Sequence, residues 1–173
     1  MRKRTKPMRA SGLLALIWIL YSASDAVGQP EEEPTAILEI GGAGEWGLGH
    51  GGGSSYGPNF AVETTPIPEW LELEAGVTPF FSRAQTDWET DFLFKKPFTL
   101  SDTAEFMFGI GPSWSHVVTR GKTEDSFGAE AALDFMFWPW GRRIGWFMEP
   151  SYGYAGEHDQ SLGVSAGLLI SIP

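Results

Sequence analysis

Apolar and polar positions alternate along most of the chain after Thr35. The last segment shows this best, because one of its faces carries only apolar residues: Leu162, Val164, Ala166, Leu168, Ile170 and Ile172. The opposite face carries mainly serine and glycine and is broken by Leu169. Successive side chains of a strand point to opposite faces, so this period of two predicts strands rather than helices.

Seven further segments repeat the alternation, which predicts eight strands. They lie at residues 38–46, 60–65, 71–78, 88–95, 104–115, 127–138 and 144–154, ahead of the last strand at 161–173. An even number of antiparallel strands returns the chain to its starting side, as single-chain bacterial barrels require. We therefore predict an all-β fold over residues 35–173, a closed antiparallel up-and-down transmembrane β-barrel of about eight strands.

The acidic residues fall almost entirely on the face opposite the apolar one. The pattern directs inward the carboxylates of Glu39, Glu45, Glu72, Glu74, Glu89, Asp91, Glu105, Glu130, Asp134 and Glu149. A barrel wall in lipid must be apolar outside, whereas its lumen tolerates charge. This arrangement predicts a barrel in the bacterial outer membrane, surrounded by outer-membrane lipid. An eight-stranded lumen is narrow and filled by side chains, so any porin-like passage is limited to small solutes.

Connections and aromatic residues distinguish the two ends of the predicted barrel. Tight turns marked by Pro or Gly are expected on the periplasmic side, at residues 65–68, 96–98 and 139–143. More polar loops are expected on the outer side, at residues 47–59, 82–87, 117–126 and 156–160. Trp and Tyr favour membrane–water interfaces, which predicts an aromatic girdle near each end. The predicted outer girdle is Trp46, Trp88, Trp114, Tyr152 and Tyr154, and the inner one is Trp70, Trp138, Trp140 and Trp146.

The first 28 residues have the pattern of a secretory signal peptide. A basic stretch precedes the apolar run 13–20, and the small residues Ala26 and Gly28 precede the expected cleavage before Gln29. Residues 29–34 form a short acidic leader. Residues 1–28 hold five of the 12 basic and one of the 22 acidic residues, so the remainder has seven basic and 21 acidic residues and a formal charge of −14. This charge excludes nucleic acid as a main partner and favours cations.

The sequence resembles a family of small bacterial outer-membrane β-barrel proteins. The stretch that carries the resemblance runs from Glu149-Pro150-Ser151-Tyr152-Gly153-Tyr154 through His158 to residues 161–170, and it looks like the closing hairpin of such barrels. The resemblance implies the architecture and no particular activity. Barrels of this family usually end in an aromatic residue, whereas this sequence ends Ile172-Pro173, which implies a non-standard insertion signal.

Function is predicted less specifically than fold. The lumen acids Glu72, Glu74, Glu89, Asp91, Glu105, Glu130, Asp134 and Glu149 are the main candidate site. They either bind cations or small cationic solutes, or pair with Lys95, Arg83, Arg142 and Arg143 as polar filling of the lumen. We expect a structural or interaction barrel, or one that binds or passes small solutes. We expect no cofactor, and the absence of Cys excludes a disulfide framework and a Cys-ligated metal.

Two alternatives remain open at this stage. His50, His116 and His158 lie near predicted outer strand ends and are candidate metal ligands, and His116 with Ser115 and Glu130 is a candidate catalytic group. Such a group would make the protein a membrane-embedded hydrolase of outer-leaflet lipid, like the lipid A deacylases, although the sequence resembles that family in size only. The other alternative is a soluble periplasmic, lipocalin-like barrel, which requires an apolar lumen and acids outside.

Overall fold

A computed structural model describes residues 34–49, 52–83, 85–156 and 159–172 of the chain. The strands are β1 Ala36–Gly47, β2 Ser54–Ile67, β3 Leu71–Phe81, β4 Thr86–Ser101, β5 Ala104–Thr119, β6 Lys122–Phe137, β7 Ile144–Gly156 and β8 Asp159–Ile172. Each strand pairs antiparallel with the next, and β1 pairs with β8 to close a barrel. The prediction of a closed, eight-stranded, antiparallel barrel is confirmed. In the described part of the chain, no helix is long and apolar enough to span a membrane. The predicted signal peptide and most of the leader lie outside the described residues.

The two ends of the barrel are named here by the strand ends that they contain. The terminal end holds Ala36 and Ile172, which pair with each other, and the loop end holds the opposite end of every strand. We call the pairing of β1 with β8, which closes the barrel, the seam. The two backbones are so close there that a Cβ added to Gly41 would lie 2.3 Å from the carbonyl oxygen of Ala166. Glycine therefore has a steric role where β1 and β8 close the barrel.

Two of the predicted connections are wrong, and a third, the outer loop at residues 47–59, is shorter than predicted because Ser54 to Asn59 belong to β2 and pair with β1. The turn predicted at residues 96–98 lies inside β4, where Pro97 pairs with Met107 of β5. The last pair between β4 and β3 is Lys95 with Glu72, so Pro97 has a ladder partner on one side only, and proline is tolerated at such a position. The outer loop predicted at residues 117–126 is a hairpin whose turn is Arg120-Gly121. Both turn residues have positive φ, 30° and 88°, as tight two-residue hairpin turns require.

The alternation predicted from sequence divides the barrel wall into an outer and an inner face. Large apolar side chains cover the middle of the outer face, among them Ile40, Phe60, Val62, Phe92, Phe94, Phe108, Ile110, Leu133, Met148, Leu168 and Ile170. All eight acids of the predicted lumen site lie on the inner face, as do Glu39 and Glu45. The soluble lipocalin-like alternative requires the reverse arrangement, which the structure does not have.

The aromatic residues follow the predicted girdles with one correction. Trp46 and Trp88 are exposed near the loop end, and Trp70 and Trp140 are exposed near the terminal end. Trp138, predicted to belong to the inner girdle, is only 2% exposed and points into the barrel. It continues the even-numbered, inward-facing series of β6 one residue beyond the strand, which explains why it joins the interior.

Candidate cation-binding lumen

An apolar cluster fills the terminal end of the lumen. Its members are 0–7% exposed. Five come from β1, β5, β6, β7 and β8, and Trp138 follows β6: Ile37, Met107, Met136, Phe147, Leu169 and Trp138. The backbone N–H of Trp138 donates to the carbonyl of Thr103 (2.8 Å), which ties the segment after β6 to the turn before β5. We call this cluster the apolar plug, because its packed side chains fill this end of the lumen.

A single lysine lies next to the plug, on the side of the loop end. The Lys95 ammonium ion-pairs with Asp134 at 2.9 Å, with Glu149 at 2.7 Å and with Glu74, and it lies 4.0 Å from Glu63. Its position along the barrel axis follows from its partners. Asp134 and Met136 are successive inward-facing residues of β6, and Phe147 and Glu149 are successive inward-facing residues of β7, so Lys95 lies next to the plug residues Met136 and Phe147. Lys95 is itself 1% exposed, so it is a fully buried cation.

The carboxylates around Lys95 outnumber it. Carboxylate oxygens of Glu39, Glu63, Glu74 and Asp134 lie within 4.8 Å of one another, and all four residues are buried. Glu63 and Glu74 are directly opposed across β2 and β3, an arrangement of like charges that destabilises a sheet unless a cation intervenes. Lys95 supplies that cation. We call this group, with Glu149, the Lys95 cluster.

Sequence reasoning missed Glu63 as a lumen acid. It lies in β2, whose alternation in sequence is weak because Thr64 and Thr65 follow it and Pro58 interrupts the apolar face. Its inward direction is visible only in the structure, where Asn59, Ala61 and Glu63 form the buried series of the strand. The signal available in sequence was the spacing of two between these three residues.

A small cavity begins above the Lys95 cluster, on the side of the loop end. Its volume is about 40 Å³, and six carboxylate residues line it: Glu45, Glu74, Glu89, Asp91, Glu130 and Glu149. Its other polar lining comes from Asn59, Thr78 and serines of β7 and β8. Among the described residues that line this inner cavity, none is Lys or Arg.

A larger vestibule of about 350 Å³ lies at the loop end. It shares Glu45, Glu89, Gly153 and Ser161 with the inner cavity, so the two spaces adjoin. Its further acids are Asp87, Glu124 and Asp159, and its described lining likewise contains no Lys or Arg. The lumen therefore changes from apolar at the terminal end, through the Lys95 cluster, to acidic and open at the loop end.

The residues proposed as a catalytic group are not brought together. The hydroxyl of Ser115 faces the vestibule and donates to Asp87 at 2.6 Å. His116 follows it on the outer face of the wall, where its Nδ1 lies 2.8 Å from Asp125 and its ring lies beside Trp114. Glu130 faces the inner cavity, so the wall separates His116 from the other two. Of the candidate metal ligands, His50 and His158 lie outside the described residues.

Comparison with solved structures finds small outer-membrane barrels. Neisserial surface protein A is similar with a TM-score of 0.64 and 11% identity, covering 82% of this chain and 100% of that one. The N-terminal β-barrel domain of OprF from Pseudomonas aeruginosa has a TM-score of 0.56 and 10% identity, covering 80% of this chain and 100% of that one. Ail, the attachment invasion locus protein of Yersinia pestis, has a TM-score of 0.55 and 12% identity, covering 80% of this chain and 98% of that one.

A further Ail structure, in complex with the heparin analogue sucrose octasulfate, has a TM-score of 0.59 and 10% identity over 80% of this chain and 98% of that one. No family model matches the sequence, and no curated protein matches it. At 10–12% identity these likenesses concern the fold.

Proposed function

We propose that this chain, which has the fold of the small eight-stranded outer-membrane β-barrel proteins, resides in the bacterial outer membrane and binds small cationic solutes in a lumen that opens at the loop end only. The single observation that carries the proposal is the composition of that lumen. Acids line its open part without a described basic residue, and the apolar plug fills its other end.

The outer face supports the membrane location. Its central belt consists of large apolar side chains that are 38–54% exposed, including Ile40, Phe92, Phe94, Ile110 and Leu168. Exposure of so much apolar surface around a whole barrel is unfavourable in water and suits a hydrocarbon surrounding. Charged residues are turned inward over the same heights, which lipid requires and water does not.

Binding is favoured over passage by the closed end. Phe147, Met136 and Leu169 are 0–1% exposed, and the Lys95 cluster lies directly above them. A solute that enters from the loop end meets carboxylates first, then a buried ammonium, then packed apolar side chains. Eight strands leave no spare width around these side chains.

The sign of the charge distinguishes this proposal from a function transferred from a structural neighbour. Ail was determined with a polyanionic ligand, whereas the present chain has a formal charge of −10 over its full sequence. Like charges at close range oppose binding, so a polyanion is not the expected ligand. Amines, guanidinium groups and metal cations are the ligand classes that a carboxylate-lined lumen binds.

Location and binding can be tested on one preparation. The full chain, expressed with its own N-terminal segment, is expected in the outer-membrane fraction with a heat-dependent shift on a gel, and its vesicles are expected to show no single-channel conductance. Spermidine, a small polycation, is expected to bind in calorimetry. Asp87→Asn with Asp159→Asn, both in the vestibule, should weaken that binding.

The matched control removes two acids away from the lumen. Asp102→Asn with Asp125→Asn changes the net charge by the same amount, at the terminal end and on the outer face, and should leave spermidine binding unchanged. Equal weakening by both double variants would mean that net charge, not the vestibule, attracts the ligand. Recovery in the soluble periplasmic fraction without a heat shift would refute the membrane location.

A further inference from the structure

The inner cavity has the composition of a binding site for a hard cation. Its polar lining consists of carboxylate, amide and hydroxyl groups from seven strands, and no Lys or Arg belongs to the described lining. Glu74 and Glu149, at its floor, are ion-paired with Lys95. Asp91 and Glu130 form no ion pair within the described residues, although they lie close enough to repel each other. Asp91 accepts backbone hydrogen bonds from Gly76 and from its own N–H, and Glu130 is hydrogen-bonded to Ser151. No cationic side chain of the described residues lies in ion-pair contact with either, so a bound cation would reduce the repulsion between them.

Asn59 supplies an independent, uncharged observation. This residue is only 9% exposed, and it lines the inner cavity. Its amide nitrogen donates to the Thr78 hydroxyl at 3.1 Å, which fixes the orientation of the amide. Its carbonyl oxygen, Oδ1, is buried and accepts no hydrogen bond from the described residues. Burial of an acceptor without a hydrogen-bond partner is unfavourable, so a ligand that binds this oxygen would be stabilised there.

We propose that the inner cavity binds one divalent cation of the Ca²⁺ type, with Asn59 Oδ1 and the carboxylates of Asp91 and Glu130 as protein ligands. Asp91 Oδ1 is, like Asn59 Oδ1, a buried oxygen without a hydrogen bond in the described residues. This ion site lies within the lumen of the proposed function, and it rests on that function only for the route by which the ion enters, through the vestibule.

The donor atoms select the class of ion. Oxygen is the only donor element in the polar lining of the inner cavity, which disfavours ions that prefer nitrogen or sulfur. Ca²⁺ accepts irregular sets of carboxylate, amide and hydroxyl oxygens, whereas Mg²⁺ demands strict octahedral geometry and keeps its waters. A cavity of about 40 Å³ has room for an ion with a few waters rather than for an organic cation. The larger vestibule remains available for the organic solute.

Calorimetric titration of Ca²⁺ into the full chain, folded in detergent, tests the proposal. We expect saturable binding of one Ca²⁺ per chain at about 0.15 M KCl, where unpaired surface charges are largely screened. Asn59→Leu removes one proposed ligand and Asp91→Asn removes the negative charge of another, so each should weaken binding about tenfold or more. Asn59→Asp keeps an oxygen donor and should retain binding. Asp125→Asn, on the outer face of the wall, is the charge-matched control for Asp91→Asn and should retain binding as well.

Each outcome distinguishes the ion site from the proposed function. Absence of Ca²⁺ binding in the wild type, or equal weakening by Asp125→Asn and Asp91→Asn, would overturn the site in favour of diffuse charge attraction. Spermidine binding and the heat-dependent shift, measured on the same samples, report on the proposed function separately. If Asp91→Asn does not fold, the comparison of Asn59→Leu with Asn59→Asp decides the question alone, because loss in both variants contradicts a requirement for an oxygen ligand.

Discussion

Replacement of Lys95 by methionine tests whether the lysine stabilises the barrel as its internal counter-ion. Methionine keeps the length of the side chain and removes the ammonium that contacts Asp134, Glu149 and Glu74. Removing one partner from a buried ion pair costs about 3–5 kcal/mol, because the remaining charge is buried without compensation. Here the remaining group is larger than one carboxylate, so we expect Lys95→Met to fall at the upper end of that range.

The assay is urea unfolding of the barrel in detergent or lipid vesicles, followed by tryptophan fluorescence. The control is Lys96→Met, which removes the same charge one residue away on the opposite face of β4. There the ammonium donates to the carbonyl of Glu69, in the turn between β2 and β3, at 2.5 Å, and this hydrogen bond is exposed, so its removal should cost about 0–1 kcal/mol. A loss below about 1 kcal/mol for Lys95→Met, equal to that of the control, would refute the role assigned to the Lys95 cluster.

Three further predictions concern the plug, the seam and the outer belt. Trp138→Ala should lower the free energy of unfolding by about 3–5 kcal/mol in the same urea assay, because it opens a cavity in the plug. Gly41→Ala should destabilise the barrel or lower its folding yield on an unboiled gel, because the added Cβ would lie 2.3 Å from the nearest atom. Gly42→Ala is the control and should have no such effect, because its added Cβ would lie 3.8 Å from the nearest atom. Ile110→Arg, at the middle of the outer belt, should cost about 2–4 kcal/mol in vesicles, and Val118→Arg, near the loop end, about 0–1 kcal/mol; equal costs would contradict the membrane location.

The fold was predictable because a barrel wall imposes a two-residue period on every strand. In β8 the alternating apolar positions from Leu162 to Ile172 lie on the outer face, as the alternation indicates, and Leu169, which breaks the pattern, faces the plug. Strand ends were harder to predict. Pro97 suggested a turn, and the polar residues after Val117 suggested a loop, yet both lie in paired strands. Proline and polarity report local preference, whereas pairing with a neighbouring strand is a tertiary effect.

The candidate site was only half predictable, because alternation reveals which face a side chain occupies but not its height along the barrel. Glu74 and Glu89 look equivalent in sequence, yet one contacts Lys95 and the other borders the vestibule. Height depends on the register between strands, which the sequence pattern does not specify. Register also places Lys95, the buried lysine of the described residues, beside Glu74 and Glu149 and out of ion-pair contact with Asp91 and Glu130. The cation site proposed at those two acids therefore depends on the register and not on the composition alone.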